Sequence, residues 1–265
     1  MKLSELLFLI SLILSIALLL TVAQAYLMPS CSVRDLAVFY LNSTFNPFNQ
    51  NYTVNSPEAV TAIVWDYRGL DTLFETAVFY LALIAGLMLA RGLYSEITFS
   101  QTNNQSGLSV IVKTVTKLTT PMIIAVGASI GLHGHLTPGG GFQGGATIAV
   151  APMVMIVVFS TLYLLIHKVS TSNMLLIRSI GLLGIGLTTI LALLIGLLSG
   201  GTAYVFQNMP KPFYYSTTGL PAYIQEVLIS GTLWFFNLFE MFAVAAGFTM
   251  AFIVLLLTRG EVKEQ

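Results

Sequence analysis

The sequence contains very little charge. Of its 265 residues, 11 are Lys or Arg and 11 are Asp or Glu, which is 8% of the chain, and the net charge is zero. About a quarter of the residues of a soluble globular domain are charged. With a mean hydropathy of +0.85, this chain cannot cover itself with a solvated surface, and its composition predicts a membrane protein.

Charge clusters and cysteines are also scarce. No run of five or six like charges is present, which argues against nucleic acid as a partner. The only cysteine, Cys31, excludes an intramolecular disulfide and a cluster of thiolate metal ligands. We therefore expect no metal and no cofactor on this chain.

Apolar runs long enough to cross a bilayer, about 20 residues, occur six times. The first follows Lys2 and ends before Ala23-Gln24-Ala25, which imitates a secretory signal, but its length favours an uncleaved helix. The sequence thus predicts an all-α, multi-pass protein of the cell membrane with six transmembrane helices. The predicted runs lie near 5–26, 72–93, 110–132, 145–166, 175–199 and 228–257.

The distribution of Lys and Arg predicts the orientation of these helices, because positively charged segments stay on the cytoplasmic side. If the amino terminus is cytoplasmic, only three of the Lys and Arg residues lie on the outer side, namely Arg34, Arg68 and Lys211. Both termini are therefore predicted to be cytoplasmic. The inner side then holds Lys2, Arg91, Lys113, Lys117, Lys168, Arg178, Arg259 and Lys263.

A polar stretch near residues 100–107 is the candidate boundary between two modules, 1–100 with two helices and 107–265 with four. The outer loop of the first module has about 45 residues, which predicts a lid or a short helix there. No internal repeat was found, which argues against a transporter built from inverted halves.

Acidic residues at a helix start are the first candidates for chemistry. In "WDYRGLDTLFE", residues 65–75, Asp71 and Glu75 are four residues apart and share a helix face. Asp71 followed by Thr72 also fits a helix N-cap. Glu75 lies one turn further into an apolar helix, where a carboxylate requires water, a cationic partner or a shifted pKa.

A glycine-rich loop, "HGHLTPGGGFQGGA" at 133–146, joins the third and fourth spans. Pro138 favours a turn, and the three glycines that follow permit positive φ. His133 and His135 are too few ligands for a metal site, but they suit a proton relay at the outer membrane surface. A tight, buried chain reversal is the alternative interpretation.

This loop resembles the signature of the B-subunit family (MrpB/MnhB) of multisubunit Mrp-type Na+/H+ antiporters, which also occurs in archaeal membrane-bound hydrogenases and sulfur-reducing relatives. The similarity covers roughly 107–265. It implies an antiporter subunit within a hetero-oligomeric complex that contacts H+ or Na+ and the bilayer. The signature comprises His133, His135, Pro138, Gly139, Gly140, Gly141, Phe142, Gly144 and Gly145.

The segment "DYRGLDTLFE" resembles the carboxy-terminal end of the large A subunit of the same antiporters, whose pattern is close to DFRGFDTLGE. Tyr67, Leu70 and Phe74 depart from that pattern. The chain thus resembles a fusion of two antiporter modules, and the resemblance implies roles for Asp71 and Glu75 in ion movement.

Two further residues could take part in an ion path. Glu240 is an acid within the last apolar run, where it either bonds to Asn237 one turn earlier or exchanges protons or Na+. Lys117, one turn before Pro121, either extends to the inner surface or lines a proton path. Arg91, Lys168, Arg178 and Arg259 are interpreted as anchors at helix ends.

The candidate functions fall into three classes. The first is a subunit that helps form an H+ or Na+ path, and the second is a structural membrane spacer in which the acids only join helices. An enzyme is the third. It is disfavoured because no Cys-His or Ser-His pair and no metal-ligand cluster occurs at membrane depth.

Overall fold

The structure, a computed structural model, describes residues 3–24, 33–49, 53–89, 108–159, 161–211 and 215–258. The chain forms two compact units, residues 1–41 and 42–265. Several sequence predictions concern residues outside the described ranges, including the module boundary near residue 100, which stays a prediction. The others are Lys2, Ala25, Cys31, Arg91, Arg259 and Lys263.

The first unit contains α1 (Leu3–Val22) and most of α2 (Asp35–Thr44). Exposed leucines, isoleucines and phenylalanines cover α1 on all sides, as expected of a helix whose environment is lipid or another subunit. The loop of about 45 residues predicted between the first two spans therefore contains short helices, α2 and, in the second unit, α3.

The second unit contains the remaining helices and one small hairpin. These are α3 (Ala59–Ala62), which continues as a π-helical turn (Ile63–Tyr67), α4 (Gly69–Leu89), α5 (Val110–Leu132), α6 (Gly141–Phe159), α7 (Thr161–Ile166), α8 (Thr171–Ser199), β1 (Tyr223–Ile224), β2 (Val227–Leu228) and α9 (Leu233–Thr258). The two strands are antiparallel.

Six helices among the described residues, α1, α4, α5, α6, α8 and α9, are long and apolar enough to cross a membrane. The predicted all-α membrane fold with six spans is confirmed. Four helix starts differ from the sequence prediction by three residues or more, and one of them is α8, which begins at Thr171 instead of 175. α4 begins at Gly69 and α6 at Gly141, both earlier than predicted, whereas α9 begins later because residues 223–228 form the hairpin.

Helix α9 is the centre of the second unit. It packs along α6 and α8 and contacts α4 and α5, while α5 packs along α6. Glycines allow these close approaches. A Cβ on Gly144 would lie 2.7 Å from the carbonyl oxygen of Gly127 on α5, and one on Gly145 would lie 2.6 Å from that of Met241 on α9. Small residues at such crossings are typical of membrane helices.

A polar layer covers one end of this bundle. The Asn208 amide donates to the carbonyl of Val54 at 3.2 Å, and the Ser230 hydroxyl donates to that of Asn55 at 2.6 Å. Beneath it lies an apolar cluster that includes Val54, Trp65 and Phe236. Loops therefore hold α3 firmly against α9, which positions the site described next.

Candidate functional site

The described residues enclose a cavity of about 180 Å³ between α3, α4, the start of α6 and α9, here called the acid cavity. Two carboxylates line it, Glu75 of α4 and Glu240 of α9. The other lining residues that matter here are Thr61, Trp65, Thr72, Gly139, Gly140, Phe142, Gln143 and Asn237. The structure thus brings together two predicted acids with the glycine loop.

Glu240 is the buried acid of the pair, with 6% of its surface exposed. Its Oε2 accepts a hydrogen bond from the indole Nε1 of Trp65 at 3.3 Å. The backbone N–H of Phe142, in the first turn of α6, also bonds to it. A helix amino terminus carries a partial positive charge that favours a carboxylate. Trp65 is itself fixed by stacking on Phe236, with ring centroids 4.4 Å apart.

Glu75 interacts electrostatically with Glu240, but its side chain is exposed on the surface of α4. The acid cavity therefore opens at Glu75 and ends at Glu240. Since α9 rises about 1.5 Å per residue, Glu240 lies about 10 Å from the helix start at Leu233.

Asn237 does not form the hydrogen bond to Glu240 that the sequence offered as one interpretation. Its Oδ1 accepts a hydrogen bond from the backbone N–H of Gly141 at 3.2 Å, across the interface between α9 and α6. Its Nδ2 is buried and has no hydrogen-bond partner among the described residues. Trp65, and not Asn237, is the side chain that binds Glu240.

The glycine loop is a tight reversal in which Gly134, His135 and Gly140 are buried, whereas His133 and Thr137 are exposed. Gly139 and Gly140 have φ of +149° and +144°, which L side chains rarely adopt. Gly141, Gly144 and Gly145 are helical, because α6 begins at Gly141. A Cβ on Gly141 would lie 2.7 Å from Oε2 of Glu240. The signature therefore lets α6 approach α9 and Glu240 closely, while Pro138 is exposed on the loop.

His135 is buried, with 2% exposed, and it connects loops instead of lining the acid cavity. Its Nε2 lies 2.8 Å from the carbonyl oxygen of Leu228, to which it donates. Its own backbone carbonyl accepts from the Ser56 hydroxyl at 2.8 Å and from the Glu58 N–H at 3.2 Å. Burial lowers the pKa of His135, with a smaller contribution from the charge of His133, and the bond to Leu228 opposes both.

Three other sequence candidates lie outside the acid cavity. Asp71 is exposed and accepts from Arg68 at 2.6 Å, and it is within the first turn of α4 instead of at the N-cap. His133 is exposed, and its Nδ1 donates to the carbonyl of Ser129 at 3.0 Å. Lys117 is exposed near the opposite end of α5, with its Nζ 5.8 Å from the ring centroid of Phe159.

The interpretation of Arg178 as an end anchor is wrong. Only 1% of Arg178 is exposed, within α8. Its Nη1 donates to the carbonyl of Ala243 at 2.6 Å, and its guanidinium lies 4.5 Å from the ring centroid of Phe79. Ala243 lies about one helical turn after Glu240 in α9, and Phe79 lies about one turn after Glu75 in α4. Apolar neighbours in sequence gave no signal for this role.

One buried ion pair lies in the polar layer. The Lys211 ammonium is 3.1 Å from Asp66, of which only 5% of the side chain is exposed. Burial raises the pKa of Asp66, and the charge and hydrogen bond of Lys211 oppose that rise. No group of three or more His, Cys, Asp or Glu side chains that could hold a metal ion occurs in the described ranges.

Comparison with solved structures shows the same fold in two membrane complexes. A chain of the membrane-bound sulfane sulfur reductase, an archaeal respiratory membrane complex, has a TM-score of 0.60 and 26% identity, and the match covers 96% of this chain and 99% of that one. A chain of the Mrp complex from Dietzia sp. DQ12-45-1b has a TM-score of 0.56 and 16% identity, over 97% of this chain and 26% of that one.

Curated relatives agree over a shorter stretch. The uncharacterized protein MJ1307 of Methanocaldococcus jannaschii is 30% identical over 118 residues, which cover 40% of this chain and 45% of the relative. A protein described as antiporter subunit mnhB2 of Staphylococcus saprophyticus is 32% identical over 120 residues, which cover 45% of this chain and 72% of the relative. The chain thus matches less than half the length of the first.

The family model for the domain related to the MnhB subunit of Na+/H+ antiporters matches residues 111–250, more than half of the chain. These residues include the glycine loop, Arg178 and Glu240. This chain is therefore a multi-pass membrane protein that belongs to the family related to the MnhB subunit of Na+/H+ antiporters.

Proposed function

We propose that this chain is a membrane subunit of an Mrp-type cation/proton antiporter module within a larger complex, and that the acid cavity is part of its H+ or Na+ path. The observation that carries the proposal is the meeting of Glu75 and Glu240 from two different helices in one cavity.

A negative charge on the buried Glu240 is costly, and Glu75 adds a second carboxylate to the same cavity, so one cation in the cavity would offset the unfavourable charge. This cation is either a proton bound to one of the two carboxylates or a Na+ ion bound between them. The site therefore favours occupation by a single positive charge that can be exchanged, which is the property required of a station on an ion path.

The remaining cavity wall provides polar groups. Thr61, Thr72, Gln143 and Asn237 line it with hydroxyls and amides, whose oxygens can bind water or a hard cation. The buried Nδ2 of Asn237 has no protein partner among the described residues. A water molecule in the cavity would satisfy it, and water between Glu75 and Glu240 would let protons move between them.

The exposure of Glu75 supports a neighbouring subunit on this face of α4. An acidic side chain facing lipid within a span is energetically expensive. A partner that covers α4 removes Glu75 from lipid and continues the path from the cavity opening. The structures with the same fold are chains of multi-subunit complexes, which supports other antiporter-type subunits as partners.

The other predicted residues would act at the edges of this path. Asp71 is exposed one turn from Glu75, where it could pass cations towards the cavity opening. His135 fixes the glycine loop, and His133 and Lys117 are not among the residues that line the cavity. Catalysis, if the parent complex is an oxidoreductase, would belong to other chains. The competing function is that of a structural spacer, in which this chain holds neighbouring subunits together but conducts no ions.

Flux measurements separate these functions. We expect Glu240→Gln and Glu75→Gln each to lower Na+ and H+ flux, in sealed vesicles that contain the purified parent complex, to the level of protein-free vesicles. The reason is that the amide of glutamine neither takes up and releases a proton as a carboxylate does nor carries the negative charge that attracts a cation. Subunit composition of each complex is checked by gel.

Glu226→Gln is the matched control, because Glu226 is an exposed acid in the turn of the hairpin, outside the acid cavity. Its flux should equal that of the unaltered complex. Normal flux in a Glu75→Gln/Glu240→Gln double variant with complete subunit composition would assign the chain to the structural function.

A further inference from the structure

A second, larger cavity lies on the other side of α9 from the acid cavity. It is a groove of about 570 Å³ bounded by α5, α6, α8 and α9, with almost entirely apolar walls. Thr120 and Leu132 mark its two ends along α5. Twelve residues of helix rise about 18 Å, which is close to the depth of one hydrocarbon leaflet, about 15 Å.

Cationic residues continue this groove at the end away from the glycine loop. At 100° per residue, Lys117 lies on the same face of α5 as the groove residue Ile124, and Lys113 lies on the same face as Thr120. Lys117 is exposed and its Nζ lies 5.8 Å from the ring of Phe159, one turn beyond the groove residue Met155. Lys168, also exposed, directly precedes the groove residue Val169.

Aromatic rings line the same end. Phe159 stacks on Tyr163 with centroids 4.5 Å apart, and Tyr163 lies 4.2 Å from the ring of His167. Tyrosine, the amphipathic ring of this group, is enriched where the hydrocarbon core meets the headgroups. The lysines thus lie at headgroup level, and the apolar groove extends from them into the hydrocarbon depth.

No carboxylate in this part of the sequence neutralises these lysines. The chain has no Asp or Glu between Glu96 and Glu226, and neither Lys117 nor Lys168 forms an ion pair with a carboxylate of the described residues. An anion at the groove end must therefore come from outside this part of the chain. Lysine clusters and basic pockets between transmembrane helices are known to bind anionic lipid headgroups.

We propose that this groove is a binding site for an anionic phospholipid, with one hydrocarbon chain along α5 and α6 and the phosphate beside Lys117 and Lys168. The volume is within the range of about 300–1,000 Å³ that ligand sites occupy. A zwitterionic lipid lacks the net charge that the lysines attract, so the site selects by headgroup charge. A partner helix is the competing occupant.

The test measures lipid retained by the purified parent complex after reconstitution in bilayer discs of phosphatidylglycerol and phosphatidylcholine, 1:1, followed by repeated detergent exchange and native mass spectrometry. The unaltered complex should retain phosphatidylglycerol over phosphatidylcholine. Each of Lys117→Gln and Lys168→Gln should weaken retention about fivefold, the contribution of one lysine near an anionic headgroup.

Two further variants separate the parts of the site. Ala128→Phe fills the groove wall without changing charge, and it should lower phosphatidylglycerol retention in a complex of unchanged subunit composition. Arg34→Gln removes an exposed cation of the first unit and should leave retention unchanged. Equal retention of both lipids, or retention that is insensitive to Lys117, Lys168 and Ala128, would overturn the proposal and assign the groove to a protein helix. Ion flux does not enter this readout.

Discussion

At the residue scale, His135 has an environment unlike that of a proton relay. It is buried, its Nε2 donates to the Leu228 carbonyl, and its Nδ1 has no partner among the described residues. These contacts favour a neutral ring. The two histidines of the signature thus differ, because His133 is exposed at the end of α5.

A pH-dependent stability follows from His135. Burial lowers its pKa below 6.5 in the folded chain. Below that pH the unfolded chain binds a proton that the folded chain does not, so stability is retained above pH 6.5 and falls as the pH is lowered. The loss is about 1.4 kcal/mol per pH unit until folded His135 itself titrates. His135→Gln keeps a donor for Leu228, and it should flatten the fall of the unfolding midpoint between pH 6.5 and 5.

Thermal unfolding in detergent at several pH values measures this effect. His167→Gln is the control, because His167 is exposed between α7 and α8 and is not among the groups that shift the pKa of His135. The pH profile of this variant should match that of the unaltered chain. An identical slope for His135→Gln would mean that other groups cause the acid sensitivity.

Arg178 is the residue that sequence reasoning placed least well. Its position seven residues after Thr171 fits an anchor near the membrane surface. In the structure the guanidinium is held between α8, α4 and α9, by Ala243 and the rings of Phe79 and Tyr80. Gly247 permits this, because a Cβ there would overlap the guanidinium. Helix rotation and packing decided its burial, and no local pattern encodes them.

At the scale of elements, the crossing of α5 and α6 depends on glycine pairs. A Cβ on Gly144 would meet the backbone of Gly127 and Gly131, which cannot move aside as a flexible side chain can. Gly144→Leu should therefore separate the two helices and lower the free energy of unfolding by about 3 kcal/mol, the upper part of the range for overpacked sites. The unfolding midpoint and monodispersity in detergent report the change.

Gly186→Leu is the matched control on α8. A Cβ at Gly186 meets nothing within 4 Å, so a larger side chain there has space and should leave the midpoint within experimental error. Equal tolerance of both substitutions would show that α5 and α6 do not approach as closely as the structure has them.

The start of α6 shows where sequence reasoning reached its limit for an element. The fourth span was predicted from residue 145, which left Gly141 and Gly144 in the preceding loop, and glycine disfavours an isolated helix. Packing against α5 and α9 outweighs that preference, since close contact needs residues without side chains. The amino terminus of α6 consequently reaches Glu240, which a later helix start would not allow.

At the scale of the whole molecule, the orientation in the membrane is a prediction from the distribution of Lys and Arg. In a Cys31→Ser background, Thr137→Cys in the glycine loop should react with a membrane-impermeant maleimide added outside intact cells. His167→Cys, between α7 and α8, should react only after permeabilisation. Both side chains that are replaced are exposed in the structure.

Detergent-solubilised protein is the control, in which both positions should react equally. The opposite pattern in intact cells would invert the orientation, and it would place the acid cavity near the cytoplasmic surface. The phospholipid groove would then open to the outer leaflet.

The sequence by itself determined the membrane class, the six spans and the family, because hydropathy is summed over contiguous residues and the signature is a contiguous motif. It also identified Glu75, Glu240 and the glycine loop as candidates. Only the tertiary structure decided that these three meet, that Asp71 and Lys117 do not join them, and that Trp65 binds Glu240. The physical reason is that Glu75 and Glu240 are 165 positions apart, so their distance depends on how α4 and α9 rotate and pack, which no local pattern encodes.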